Sequence, residues 1–161
     1  MPGLLSFQEA PLVLVALEHL VTIPNVVLVD GQGLAHPRRF GLACHLGLLT
    51  NTPTIGCAKS IFRGRPEGAL LPSVGAHVPL VDKGDMVGSV VRIRESVNHM
   101  DVSIGHKVSL DRAIELTLAC CKGYRMLESA RLAHLAVASR IATREQREPP
   151  KHPACVVKTL L

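Results

Sequence analysis

The run VVLVDGQG, Val26 to Gly33, constrains this chain more than any other stretch. Four consecutive aliphatic residues, Val26 to Val29, suit a strand buried on both faces. They deliver a carboxylate, Asp30, into a turn that holds Gly31 and Gly33, and the basic step His36-Pro37-Arg38-Arg39 follows. Gly41 to Leu49 then carries Leu42, Leu46 and Leu49 at helical spacing, and Thr54 to Ala58 reads as a second buried strand ahead of Lys59. Strand, helix and strand of this length make a βαβ unit, so the fold class is α/β. The carboxyl end of a buried strand is where open α/β sheets place their sites.

The rest of the chain arranges itself around that unit. Ser6, with Glu9 three residues on, matches a capping box and predicts a helix from Ser6 to about Leu20. Val13, Leu17 and Leu20 share one face of it, and Pro11 is tolerated if it lies in the first turn. The Gly/Pro-rich segment Ile61 to Gly84 reads as a surface excursion. Met86 to Arg94 and Met100 to Ile104 form a strand pair across a polar turn at Ser96 to Asn98. Ser109 caps a helix through Cys121 in which Ala113, Leu116 and Cys120 share a face, and a further helix covers Leu127 to Arg140. Residues 1–141 are expected to make one domain and residues 142–161 a flexible tail.

Composition narrows the function classes. Among 161 residues there are three Phe, one Tyr and no Trp, so the core is aliphatic, and the count argues against base stacking on a row of exposed rings. The net charge of +5 suits a polyanionic partner, and serves equally as a solvated surface. Five cysteines without paired spacing imply neither a disulfide framework nor a zinc site, and Cys44, Cys57 and Cys120 fit small buried hydrophobes. No apolar run reaches the roughly 18 residues of a membrane span, and no signal peptide is evident. A cytoplasmic monomer is the expectation.

Glu9, Asp30, Lys59 and His106 all fall at element ends that one sheet edge would bring together. Carboxylates without a sulfur partner select a hard cation such as Mg²⁺, with phosphate oxygens completing its shell. Such an ion activates water and steadies charge on a phosphodiester. Lys59 would be a point charge for the phosphate, and His106 would orient water or phosphate. Each has a plainer reading: Glu9 as a helix cap, Asp30 as a turn former, Lys59 as a solvated strand end, His106 as a turn residue. Gly31 and Gly33 do not complete a dinucleotide fingerprint, because the third glycine position is His36.

The segments PGLLSFQEAP, VDGQGLAHPRRFGLACHLGLL, PTIGCAKS and SIGHKVSLDRAI occur here in the order and spacing of the endonuclease V (deoxyinosine 3′-endonuclease) family, which the chain resembles from about Pro2 to Arg140. The resemblance implies an RNase H-like mixed sheet flanked by helices. It also implies Mg²⁺-dependent nicking, with Mn²⁺ as a substitute ion, one nucleotide beyond the 3′ side of deoxyinosine or inosine in DNA or RNA. By the same resemblance Asp30 and Glu9 are metal-site acids, and Gly31, Gln32 and Gly33 form the turn that receives the flipped base. His36, Arg38 and Gly105 stand beside the substrate, Lys59 near the scissile phosphate, and His106 near the metal.

The chain also departs from that pattern. Family members begin with three further strands, the first bearing a metal-ligand aspartate in a DVS-like motif, and carry a tyrosine wedge in a PYIPG-like loop. Both lie upstream of the matched residues. Gln8 stands where the family has arginine, His99-Met100-Asp101 where it has an apolar run, and Leu127-Glu128-Ser129 where it has a PEP segment. Asp101 lies in a DVS sequence but belongs to the strand before Gly105-His106, and is no replacement. Two consequences are expected: cleavage that is weak or absent for want of a third carboxylate, and an exposed sheet edge that invites pairing. A non-catalytic nucleic-acid-binding remnant is the alternative.

Overall fold

The computed structural model describes residues 5–95, 99–121, 135 and 156–158. In chain order its elements are α1 (Leu5–Glu18), β1 (Val27–Asp30), α2 (Leu42–Thr50), β2 (Thr54–Ala58), β3 (Arg65–Pro66), β4 (His77–Asp82), β5 (Asp85–Val91), β6 (Met100–His106), α3 (Leu110–Cys120) and β7 (Val156–Lys158). The strands form one seven-stranded mixed sheet, ordered β3-β4-β5-β6-β2-β1-β7.

The βαβ unit holds as expected. β1 and β2 pair in parallel, with Leu28 beside Ile55 and Asp30 beside Cys57. Because side chains alternate along a strand, β1 feeds two cores. Val27 and Val29 pack with Ala10 and Val13 of α1 and with Leu42, Ala43 and Leu46 of α2. Leu28 turns the other way, joining Ile55, Cys57 and Val102 against Ala113 and Ile114 of α3. A strand with helices on both faces has no polar side, which is why β1 reads as an unbroken aliphatic run. The β5–β6 pair also forms, with Ser89 beside Val102 and Val91 beside Met100. At α3, the Ser109 hydroxyl accepts the Arg112 backbone N–H at 3.3 Å, the expected cap.

Several expectations are corrected. The first helix starts at Leu5 and ends at Glu18, so Ser6 lies inside it rather than capping it, and Leu20 lies beyond it. Pro11 is its seventh residue, past the first turn. Burial of the flanking Ala10 and Val13 against the sheet holds the helix through the hydrogen bond that proline removes. The excursion from Ile61 to Gly84 contains β3 and β4. β4 escapes a pattern reading because it holds Pro79 and only Leu80 of it is fully buried. It is folded onto β5 by Lys83 and Gly84, both at positive φ in a hairpin turn. On the side of β1 away from β2, β7 pairs with it in parallel. Of the helix expected over residues 127–140 only Leu135 is described, and it is helical; the turn at 96–98 lies outside the described residues, as does all of 142–161 except β7.

Candidate active site

Asp30 ends β1, and the turn after it is laid across β2 onto β6. The Gly31 N–H donates to the Cys57 carbonyl at 3.2 Å, and the Leu34 N–H reaches the Ile104 carbonyl at 2.9 Å. Between them the Gly33 N–H donates to Ser103 Oγ at 2.8 Å. This crossing presses Gln32 and Gly33 onto Gly56, where a Cβ would collide with the Gly33 nitrogen and stand 2.8 Å from the Gln32 carbonyl carbon. Gly56, in the middle of β2, is therefore what lets the DGQG turn lie flat. Gln32 Nε2 donates to the Ser60 carbonyl at 3.1 Å, tying the turn to the loop that carries Lys59.

Lys59 Nζ donates to Asp30 Oδ2 at 2.9 Å. The two belong together because Asp30 is beside Cys57 in register and Lys59, two residues on, shares the Cys57 face. The Asp30 side chain is 25% exposed and that of Lys59 46%, so the pair faces solvent and the carboxylate stays reachable. Glu9 is half-buried on α1. Phe7 packs edge-on against His45, at 4.7 Å between ring centroids, in the first turn of α2. That turn is bound to the glycine loop through the Ala43 N–H and the Gln32 carbonyl, 3.1 Å apart. The amino-terminal turns of α1, with Glu9, therefore lie toward the sheet end that carries Asp30.

In the basic step, His36 is buried beside the Phe62 ring at 5.5 Å. Its burial, followed by the charge of Arg38, lowers its pKa, so the ring stays neutral near pH 7. The Arg38 backbone N–H donates to Nδ1 at 3.3 Å, which leaves the proton on Nε2. Arg38 is exposed, as a phosphate contact requires. Arg39 is structural: its guanidinium meets Asp82 at 3.1 Å and Asp85 at 3.4 Å, fastening this loop to the β4–β5 hairpin. Arg63 joins the same Asp82 at 3.1 Å.

Gly105 and His106 do not join this group. His106 is beside Thr54, at the opposite end of β2 from the Cys57 position beside Asp30. Three residues of strand, roughly 10 Å, separate them. The antiparallel run of β6 causes this, since its carboxyl end meets the amino end of β2. There Gly47 of α2 leaves room for the His106 side chain, which a Cβ on residue 47 would strike.

The structure adds Asp101, a side chain 1% exposed on β6. It pairs with Ala58, so it lies at the Asp30 end of the sheet but projects from the other face. Neither carboxylate oxygen has a hydrogen-bond partner, and His99 Nε2 stands 3.4 Å from Oδ1. Burial pushes its pKa up to about 7. Its sequence signal is a lone carboxylate inside an aliphatic run. Thiol chemistry is not supported, because burial raises Cys57 and Cys121 to about 12.

Asp30 and Glu9 are oxygen donors of the kind Mg²⁺ takes. Among the described residues, however, no three His, Cys, Asp or Glu side chains converge on a metal position. With the Lys59 ammonium already on Asp30, the described residues do not complete a divalent-cation site.

An Endonuclease V family model matches residues 1–135. Endonuclease V of Gloeobacter violaceus is 52% identical over 133 residues, covering 83% of this chain and 54% of the relative. The crystal structure of Endonuclease V from Streptomyces avermitilis superposes with a TM-score of 0.81 at 44% identity, over 88% of this chain and 62% of that one. Endonuclease V of Ciona intestinalis, solved with a 23mer DNA containing an inosine, superposes with a TM-score of 0.72 at 26% identity, over 90% of this chain and 68% of that one. The chain thus spans little more than half the length of the Gloeobacter relative. Strand order, the Asp30 turn and these matches agree on an RNase H-like sheet, and the chain belongs to the endonuclease V family.

Proposed function

We propose that this chain contributes the Asp30-centred part of a nuclease that nicks inosine- or deoxyinosine-containing nucleic acid one nucleotide 3′ of the lesion. The observation that carries the reading is the Asp30–Lys59 pair beside a turn clamped to β2 and β6. A strand-end acid, an adjacent ammonium and an exposed Arg38 suit a phosphodiester, while the fixed backbone of Gly31 to Gly33 offers a rigid edge to an extruded base. The Ciona relative bound to inosine-containing DNA supports the substrate class.

The reading includes a requirement for Mg²⁺ with Asp30 and Glu9 as its acids. Lys59 offsets phosphate charge, Arg38 anchors the strand, and neutral His36 donates from Nε2. Turnover by this chain is then weak, because its acids hold the cation incompletely.

The test is a labelled oligonucleotide with one deoxyinosine, incubated with the chain and MgCl₂. A faint product one nucleotide 3′ of the lesion is expected, and Asp30→Ala should abolish it. Equal signal from both proteins would overturn the reading. The incomplete donor set also favours a second reading, a non-catalytic binding protein, which predicts salt-sensitive binding of the same oligonucleotide with no metal-dependent product.

A further inference from the structure

β1 is buried on both faces, yet its outer neighbour is a strand of three residues. β7 lies parallel to it, with Val156 beside Val27, Val157 beside Leu28 and Lys158 beside Val29. The backbone of β1 divides its donors between its two neighbours. The Val27 N–H reaches the Pro53 carbonyl at 2.9 Å and the Gly31 N–H the Cys57 carbonyl at 3.2 Å, both on the β2 side. By alternation, the N–H groups of Leu28 and Asp30 point the other way, into the space that β7 fills. The slot therefore borders the candidate active site: the backbone of Asp30 forms its upper lip.

We propose that the outer edge of β1 is a parallel strand-docking slot which the chain's own carboxyl-terminal segment plugs reversibly. The slot takes an extended aliphatic segment running parallel to β1, and Val156–Lys158 is its resident occupant. The shortness of the pairing makes the plug removable: a three-residue ladder gains few net hydrogen bonds. The docked and undocked states are then close in free energy, and the exposed edge, when it appears, is a template for any strand of matching pattern.

The experiment needs no nuclease activity, so it stands apart from the proposed function. In the full chain, amide exchange by NMR should show Leu28 and Asp30 exchanging about tenfold faster than Val27 and Val29, because only the former pair is uncovered when β7 leaves. Equal protection of the two pairs would overturn the proposal. A fluorescent peptide of residues 153–161, PACVVKTLL, is then titrated into the full chain and into Val156→Pro/Lys158→Pro, whose plug lacks the N–H groups that face β1. The variant should bind the peptide about tenfold more tightly than the wild-type chain, which must first release its own strand. Capture by neither protein would also overturn it. Should the variant fail to fold, the wild-type exchange pattern decides alone. Peptide-independent dimers of the variant would show the slot passing to a second copy's strand, which supports a slot open to strands in trans.

Discussion

Burying Asp101 without a hydrogen-bond partner costs the carboxylate its charge, because desolvation penalises the ionised form. Its folded pKa, about 7 against an ordinary 3.8, means that the folded chain keeps a proton which the unfolded chain releases. Stability from this group is intact below about pH 4 and falls as pH rises to about 7, by up to about 4 kcal/mol. Urea unfolding at pH 4.5 and 7.5 should show the fall, and Asp101→Asn should flatten it and raise stability at pH 7.5. A second prediction concerns Gly56. Placing a Cβ there drives into the Gln32–Gly33 backbone, which has nowhere to move, so Gly56→Ala should cost about 2–3 kcal/mol in denaturant unfolding. The two residues differ in legibility. Gly56 follows from the TIGCAKS motif only once the turn is seen lying on it, and Asp101 gains its meaning from neighbours that sequence does not place beside it.

At the scale of elements, the three that follow α1 were legible because their signals were redundant. β1 is aliphatic throughout, α2 repeats Leu at helical spacing, and β2 is short and closed by turn residues. α3 was legible from its cap. Ser109→Ala should lower stability by about 1 kcal/mol, while Glu115→Ala, which removes only an exposed pair with Arg112, should change it by less than about 0.5 kcal/mol. β4 was not legible, since a proline and a half-exposed pattern argue against a strand until a hairpin turn and two neighbours supply the pairing. The same hairpin receives Arg39. Asp82→Ala leaves Arg39 its bonds to the residue-82 carbonyl and Asp85, so it should loosen rather than free the 36–41 loop, raising protease cleavage there with a loss of about 1 kcal/mol.

For the whole molecule, the issue is which residues the sheet brings together. Parallel pairing of β1 and β2 puts Asp30 and Lys59 side by side, and the Phe7–His45 contact holds the start of α1 toward the same end. The antiparallel course of β6 carries Gly105 and His106 to the other end. At this scale the prediction concerns salt: with Arg38 exposed and Arg39 spent on Asp82 and Asp85, Arg38→Ala should weaken binding of an inosine oligonucleotide and make log Kd less steep in log salt by about one unit, whereas Arg39→Ala should lose stability first. By itself the sequence determined the family, the βαβ unit and the strand-end acid, because those rest on local runs whose pattern survives any neighbour. The tertiary structure alone decided which ends of the strands meet, the burial of Asp101 and the covering of the β1 edge, because strand direction and pairing join residues far apart in the chain.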